Sequence, residues 1–391
     1  MTPAERRASL SLAGIFALRM LGLFLVLPVF ALEAAHLPGG DDPALIGLAM
    51  GIYGLTQAVM QMPLGLASDR LGRKKVIVLG LAVFALGSML AALSGSVHML
   101  VAARALQGAG AVSAAVTALL ADLTRDEVRT KGMALVGMSI AGMFALSLVV
   151  APPLAGVIGL SGLFWLTTAL AVIGIVTVLL ATPAEPARHA DQPRGRLAEV
   201  WLHPNLWRLD LGVFVLHTVQ MAMWGVVPGL LVQAGLAKAQ HWHVYLPAVL
   251  ASFVMLGALL AAERRGQLRL VLRSGVALLL LVQLALLLAA PRAPGLWTLG
   301  LVMFFFFTAF NLLEATQPSL ISRLAPAQAR GAALGVYNTL QSLGLFAGGA
   351  LGGWLVKSFG PQAVFAATSA LAALWLALGW AQAVPPPRPR P

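Results

Sequence analysis

The chain consists of apolar runs of about 20 residues, separated by short charged or Gly/Pro-rich segments. A helix of that length crosses the hydrocarbon core of a bilayer, where the main chain must pair its polar groups internally. The runs lack the alternation of strands and therefore predict helices. Because 59% of the 391 residues are hydrophobic and only 10% are charged, a water-soluble fold is excluded. The pattern predicts an all-α membrane protein with twelve spans, at residues 10–32, 44–66, 75–94, 97–120, 131–157, 161–181, 209–231, 243–262, 270–290, 295–322, 329–356 and 361–383.

Lysine and arginine are distributed unevenly over the predicted loops. Most of the 26 fall on one side of the membrane, whereas the loops on the other side hold only Lys238, Arg292 and Lys357. Loops rich in lysine and arginine stay in the cytoplasm. The distribution predicts a multi-pass protein of a bacterial cytoplasmic (inner) membrane with both termini inside. The net charge of +12 then reflects topology, and no nucleic-acid partner is expected.

A polar segment divides the predicted spans into six and six. The expected organisation is an N-terminal six-helix bundle at 1–181, a cytoplasmic linker at 182–206, a C-terminal six-helix bundle at 207–384 and a proline-rich tail at 385–391. Arg129-Thr-Lys-Gly-Met-Ala-Leu at the start of span five resembles Ala329-Arg-Gly-Ala-Ala-Leu at the start of span eleven. This weak repeat favours two parallel halves.

The loop between spans two and three contains the most specific motif. It reads Gly65-Leu-Ala-Ser-Asp69-Arg70-Leu-Gly72-Arg73-Lys74-Lys75 and resembles the signature loop of the major facilitator superfamily. The resemblance implies two pseudo-symmetric six-helix bundles and a conformational latch in this loop. In that family the equivalent of Asp69 packs against the start of helix eleven, and the equivalent of Arg73 pairs with an acid ending helix four, where Asp122 stands here. The alternative is a basic loop that only obeys the positive-inside rule, which does not require Gly65, Asp69 and Gly72 at these spacings.

Span four carries a second motif of this family. Arg104, Gln107 and Gly108 resemble its Arg-x-x-Gln-Gly element. Counting 1.5 Å per residue, Arg104 lies roughly 10 Å below the outer face, so it must contact protein or water. Two roles stay open, tying helix ends through main-chain carbonyls or taking part in proton transfer. In span five, Ala151 replaces the glycine of the Gly-Pro pair found in efflux members, although Pro152 still predicts a bend.

Further segments resemble the YajR-type proton-driven drug-exporter branch of the superfamily over nearly the full length. They are Thr2-Pro3-Ala-Glu5-Arg6-Arg7, Leu18-Arg19-Met20-Leu21-Gly22, Gly51-Ile-Tyr53-Gly-Leu-Thr-Gln57-Ala, Phe310-Asn311-Leu-Leu-Glu314 and Pro318-Ser-Leu-Ile-Ser322. The resemblance implies proton-driven export of drug-like compounds. The small soluble domain that this branch carries after helix twelve is expected to be absent.

Three ionisable residues are expected at one depth inside the spans. Arg19, His217 and Glu314 each lie roughly 12 to 14 Å from the predicted inner face. Burial favours a neutral carboxyl and a nearby cation favours a carboxylate, so Glu314 is the first candidate for proton coupling, with Arg19 and His217 beside it. The alternatives are a permanent ion pair with Arg19 or a cap on the Pro318 kink for Glu314, and a packing role for His217.

Neutral polar and adaptable apolar residues are predicted to line a substrate cavity between the halves. The predicted cavity residues are Asn311, Gln57, Gln61, Gln107, Asn338, Gln341, Met221 and Trp224. Hydrogen bonding between helices is the alternative role for each amide.

The sequence thus predicts a proton-coupled secondary transporter that exports small hydrophobic or cationic compounds by alternating access. Its expected partners are the lipid bilayer, a small-molecule substrate and protons, with no cofactor, and the chain is expected to be a monomer. A nutrient importer and a non-transporting receptor on the same fold are the alternatives. An enzyme is disfavoured, because the chain has no cysteine and its spans carry no metal-ligand or nucleophile motif.

Overall fold

The computed structural model describes residues 1–185, 204–262, 266–326 and 329–382, which form helices and no strand. Most of the predicted linker (182–206) and all of the predicted tail (385–391) lie outside these residues. The helices are α1 (Pro3–Phe24), α2 (Leu27–Ala34), α3 (Pro43–Leu71), α4 (Arg73–Ala92), α5 (Val97–Ala109), α6 (Ser113–Asp122), α7 (Asp126–Val176), α8 (Pro204–Gln233), α9 (Trp242–Ala262), α10 (Leu268–Ala289), α11 (Leu296–Leu324), α12 (Arg330–Phe359) and α13 (Pro361–Gly379).

The number of membrane crossings agrees with the sequence. Among the described residues, 11 helical stretches are long and apolar enough to cross a membrane. One of them, Lys131–Ala181, covers most of α7, whose 51 residues exceed what one crossing needs. Gly159, with φ 65°, interrupts the helical main chain of α7 and separates the predicted spans 131–157 and 161–181. The 11 stretches therefore accommodate all twelve crossings.

Two predicted spans contain a break that the sequence did not predict. In the first span α1 stops at Phe24 and α2 starts at Leu27, next to Pro28, which has no main-chain donor for the preceding turn. In the fourth span α5 and α6 are separated at Gly110. A Cβ atom at Gly110 would lie 2.4 Å from the carbonyl oxygen of Gly80, so only glycine permits this approach to α4.

The first of two compact units comprises Met1–Asp191 and Lys238–Trp242. In this unit α1 packs against α7, and α4 packs against both α5 and α7. The sequence assigned Lys238–Trp242 to the second bundle, and the structure groups this segment with the first unit instead. The reason is local, because Lys238 Nζ donates a 2.6 Å hydrogen bond to Glu33 Oε1 and Ala239 lies against Gly156.

The second unit comprises Gln192–Ala237 and His243–Pro391. Here α8 packs against α11, α12 and α13, and α10 packs against α11 and α13. Two glycines of α12 allow its main chain to touch α8. A Cβ atom at Gly344 would lie 2.4 Å from the Phe214 carbonyl oxygen, and one at Gly348 would lie 2.3 Å from the Thr218 carbonyl oxygen. This close approach fixes the part of α8 that carries His217.

Candidate functional site

Three polar residues that the sequence singled out meet inside the second unit. His217 lies on α8, Glu314 on α11 and Gln341 on α12. The His217 side chain is 5% exposed, whereas that of Glu314 is 34% exposed. Pro318, one turn after Glu314, has no main-chain N–H to donate to the Glu314 carbonyl, which weakens the helix at this point. The group therefore joins a buried imidazole to a half-buried glutamate side chain.

The Gln341 amide bridges the other two side chains. Its Nε2 lies 2.8 Å from His217 Nε2 and donates to Glu314 Oε1 at 3.2 Å. The imidazole and the carboxyl also approach directly, with His217 Nε2 3.5 Å from Glu314 Oε2. Phe310 closes one side of the ring with an edge contact at 5.7 Å between centroids.

These contacts fit one protonation state of the group. His217 Nδ1 lies 3.0 Å from the Val213 carbonyl oxygen, which has no hydrogen, so Nδ1 must be the donor. With Gln341 in this orientation, Nε2 of the imidazole is the acceptor and the ring is neutral. A proton added to Nε2 would face a Gln341 amide hydrogen, and two donors repel each other. The amide would therefore have to turn its oxygen towards the ring. His217 can thus take up a proton only if its hydrogen bonds rearrange.

Arg19 is held inside the first unit by neutral partners. Its guanidinium is 1% exposed and donates to Tyr53 Oη at 2.7 Å, to Ser113 Oγ at 3.2 Å and to Gln57 Oε1 at 3.3 Å. The Phe84 ring lies 5.6 Å from the guanidinium carbon. The sequence reasoning did not assign Tyr53 or Ser113 as partners of Arg19. The shared depth of Arg19 and Glu314 stays a prediction, since these residues belong to different units.

The span-four motif forms a fully buried polar group in the first unit. Arg104 donates to Gln107 Oε1, and Gln107 Nε2 donates to Ser88 Oγ at 2.8 Å. The Arg104 guanidinium also lies 4.9 Å from the centre of the Tyr53 ring. Arg104 and Gln107 are both 0% exposed. This arrangement favours a structural role for the motif over proton transfer.

The signature loop forms an ionic cluster between α3 and α4. Arg73 Nη1 lies 2.5 Å from Asp69 Oδ1, and Arg73 Nε lies 3.2 Å from Asp122 Oδ2 at the end of α6. Gly72, with φ 111°, makes the turn that brings Arg73 into this position. Packing of Asp69 against span eleven stays a prediction, because that span belongs to the other unit.

Glu185, which the sequence placed in the linker, caps the same loop. Its carboxylate accepts the main-chain N–H groups of Arg73 at 3.0 Å and Lys74 at 2.5 Å, at the start of α4. The Lys74 ammonium donates to the Thr182 carbonyl at 2.6 Å. A carboxylate at a helix N-terminus is favourable, so the end of span six and the signature loop are tied together.

A family model described as the Major Facilitator Superfamily matches residues 12–349 and 245–391, which together span nearly the whole chain. The chain belongs to this superfamily. It is therefore a multi-pass membrane transporter. As a superfamily member it can be compared with relatives over almost its full length.

Two relatives and one solved structure illustrate that similarity. The inner membrane transport protein YajR of Escherichia coli K12 is 44% identical over 391 residues, covering 99% of this chain and 85% of YajR. Multidrug resistance protein 2 of Bacillus subtilis is 28% identical, covering 86% of this chain and 85% of that protein. A bacterial homologue of the human lysosomal transporter Spinster, solved in an inward-facing and occupied conformation, has a TM-score of 0.78 at 15% identity, covering 97% and 96% of the two chains. At that identity the solved structure shows the fold alone.

The remaining predicted cavity residues of this superfamily member are mostly buried. Asn311 donates to Ser252 Oγ at 3.0 Å, and Trp224 meets Tyr245 edge to face at 5.6 Å between ring centroids. Met221, Trp224 and Gln61 are less than 5% exposed. Of the neutral cavity residues, Gln57, Asn338 and Gln341 are half-buried. Lining of a shared cavity stays a prediction for all of them.

Sequence reasoning missed one buried acid of this major facilitator chain. Asp210 on α8 is 5% exposed, and its Oδ1 has no hydrogen-bond partner among the described residues. The same holds for the Tyr337 hydroxyl and the Gln317 amide in the same unit. An acid at the edge of the predicted span 209–231 would ordinarily lie at the membrane interface, so span boundaries alone did not reveal its burial.

Asp69→Asn tests the predicted latch. The resemblance predicts that the Asp69–Arg73 cluster holds the cytoplasmic side closed, so loss of one of the two carboxylates on Arg73 is expected to lower the outward-open population about threefold to fivefold. The chain has no cysteine, so a single Asn338→Cys can report the state through its rate of reaction with a membrane-impermeant maleimide added outside. Asp41→Asn, which changes an exposed acid elsewhere, is the matched control. An unchanged labelling rate in Asp69→Asn would show that this cluster does not act as a latch.

Proposed function

We propose that this transporter is driven by protons and exports small hydrophobic or cationic compounds by alternating access. The observation that carries the proposal is the Glu314–His217–Gln341 group inside an apolar helix bundle. Ionisable residues at membrane depth are costly and occur where they bind ions, protons or substrate. A glutamate side chain that is 34% exposed, next to a histidine side chain that is 5% exposed, can exchange a proton with water while its partner stays shielded.

In this mechanism the charge of Glu314 is coupled to the binding of the transported compound. When Glu314 is ionised it attracts a cationic compound, and when it takes up a proton that attraction is lost. A proton and a cation then compete for the same carboxyl, which is the simplest basis for exchange. Gln341 donates to Glu314 Oε1 at 3.2 Å and so holds the carboxyl in place for either ligand.

The proton gradient supplies enough free energy for useful export. One charge moving through about 150 mV releases about 3.5 kcal/mol, and this corresponds to a concentration ratio of a few hundredfold. Both termini are proposed to face the cytoplasm, as the distribution of lysine and arginine predicts.

Two relatives are resistance proteins by name, and this favours export over import. Besides the multidrug resistance protein of B. subtilis, the class D tetracycline resistance protein of Salmonella ordonez is 29% identical, covering 51% of this chain and 52% of that protein. The solved structures of similar fold include a nucleoside transporter with a TM-score of 0.75 and 14% identity, so the fold alone fits other substrates as well.

Compound-driven proton movement tests this function. The full chain is reconstituted into liposomes that contain a pH-sensitive dye, and ethidium and a panel of neutral drug-like compounds are added outside. Exchange predicts that entry of a compound makes the lumen more alkaline, because protons leave. Empty liposomes and liposomes treated with a proton ionophore are the controls.

The sign of the response separates the alternatives. An importer that carries protons with its solute would acidify the lumen, and a receptor would give no response to any compound. Either result would overturn the proposed export.

A further inference from the structure

A groove at one end of the first unit carries two arginines. It lies between the start of α1 and the end of the helical turn Thr177–Ala181 that follows α7, and its volume is about 860 Å³. Arg6, Arg7, Leu10 and Leu180 line it, and none of the described residues around it is acidic. This groove, defined by these four residues, is separate from the proton-coupling group of the second unit.

The two arginines differ in how they are held. Arg7 is fixed by main-chain carbonyls, because its Nε donates to Ala181 O at 2.8 Å and its Nη2 donates to Leu180 O at 3.2 Å. Arg6 is exposed, and its side chain forms no hydrogen bond or ion pair with the described part of the chain. The groove thus presents one oriented and one free guanidinium.

The nearest acid does not neutralise these charges. Glu5 is 5% exposed and does not line the groove, and Arg125 Nε contacts its Oε1 at 2.7 Å. The same carboxylate accepts the main-chain N–H of Thr2 at 2.7 Å. With Glu5 already paired, the groove keeps an excess of two positive charges.

An apolar stripe runs from the groove along an exposed side of the first unit. Leu180 is 74% exposed, and Val176 and Ile173, which precede it by about one and two turns, are 46% and 51% exposed. Leu10 on α1 forms the facing wall and is 52% exposed. Seven helical residues rise about 10 Å, so the stripe reaches well into the hydrocarbon layer from the membrane surface.

We propose that this groove binds an anionic glycerophospholipid of the cytoplasmic leaflet. Its phosphate contacts Arg6 and Arg7, and one acyl chain lies along Leu180, Val176 and Ile173. Three features fit this occupant together: two uncompensated cations, an adjoining apolar stripe, and a position at the membrane face that the positive-inside rule assigns to the cytoplasm. Arginine suits phosphate because its planar guanidinium donates two parallel hydrogen bonds. A soluble phosphate would use the cations and leave the stripe without a partner.

Native mass spectrometry of the full chain in detergent tests this site. The measured quantity is the fraction of protein that carries one lipid after titration with palmitoyl-oleoyl phosphatidylglycerol, with the corresponding phosphatidylcholine as the neutral reference. Arg6→Gln is expected to lower the apparent affinity for phosphatidylglycerol about fivefold, as loss of one basic residue at a membrane surface predicts. Arg6 is exposed and without described contacts, so the fold should be retained, which the elution volume in size-exclusion chromatography checks.

Arg269→Gln is the matched control, because Arg269 is also exposed and on the predicted cytoplasmic side, outside the groove. The proposal requires that this control binds phosphatidylglycerol like the unmodified chain. Equal losses in the two variants would show general surface electrostatics and overturn the site. Displacement of the lipid by millimolar inorganic phosphate would assign the arginines to a soluble anion and would also overturn it.

Discussion

Glu314→Gln is expected to reduce compound-driven proton movement to the level of empty liposomes. The substitution keeps the size of the side chain and its ability to accept from Gln341, which donates to Glu314 Oε1 at 3.2 Å. It removes the only acid in the described Glu314–His217–Gln341 group, so no carboxyl remains there to exchange a proton for a cation. The measurement is the dye response of proteoliposomes on addition of a transported compound.

A second readout separates loss of coupling from loss of the fold. Exchange of labelled for unlabelled neutral compound across the same liposomes needs the conformational cycle and no net proton movement, so Glu314→Gln should keep it. Asp41→Asn removes an exposed acid outside the group and should leave both readouts unchanged. Full proton movement in Glu314→Gln would show that Glu314 is not the coupling residue. The proteoliposome experiment on the unmodified chain would still decide whether the protein exports compounds.

Gly108→Ala is expected to produce the largest loss of stability among single-methyl additions to the first unit. A Cβ atom at Gly108 would lie 2.2 Å from the Tyr53 carbonyl oxygen and 2.2 Å from Thr56 Oγ1, and the first of these belongs to the main chain of α3. The helices α3 and α5 must separate to admit the methyl group. Overpacking of this kind costs about 1–3 kcal/mol or more, which exceeds the gain of up to about 1 kcal/mol from replacing glycine in a helix.

The effect is measured as the apparent melting temperature in detergent, followed by size-exclusion chromatography of heated samples. Gly108→Ala should lower it by about 5 °C or more. Gly14→Ala is the matched control, because Gly14 lies in α1 of the same unit and a Cβ there would have no atom within 4 Å. The control should be unchanged or slightly more stable. A melting temperature for Gly108→Ala equal to that of Gly14→Ala would contradict the close packing of α3 on α5.

Transport should respond to Gly108→Ala as well, through Arg19. Tyr53, whose carbonyl oxygen the new methyl would meet, accepts a 2.7 Å hydrogen bond from the Arg19 guanidinium through its side-chain hydroxyl. A displaced α3 would therefore move a hydrogen-bond partner of Arg19, which is predicted to act in proton coupling. Residual transport activity, measured below the melting temperature, reports this second effect separately from stability.

Features that depend only on residues close together in the sequence were predictable. Apolar runs identified the twelve crossings, because a bilayer imposes one length on every span. The spacing of Gly72 and Arg73 identified the loop between α3 and α4, where the structure gives Gly72 a φ of 111°. The depth estimate also selected His217 and Glu314, which the structure brings within 3.5 Å of each other.

Features that depend on which helix meets which were not predictable. The segment Lys238–Trp242 groups with the first unit, although it lies in the sequence between two helices of the second. Glu185 caps α4 from a stretch that the sequence marked as linker. Asp210 is buried although it stands at the edge of its predicted span. For Lys238 and Glu185 the decisive partner is distant in sequence, and nothing in the residue's own neighbourhood indicates it.

The sequence by itself determined that this protein is a twelve-span membrane transporter of the major facilitator superfamily, since hydropathy, the distribution of lysine and arginine, and short motifs act through local chain geometry. Only the tertiary structure decided that Gln341 joins His217 to Glu314, and that Arg19 is held by Tyr53, Gln57 and Ser113. The physical reason is the same for both groups. A hydrogen bond between side chains on different helices requires the rotation and spacing of those helices, and these are set by the packing of glycines and large side chains far apart in the sequence.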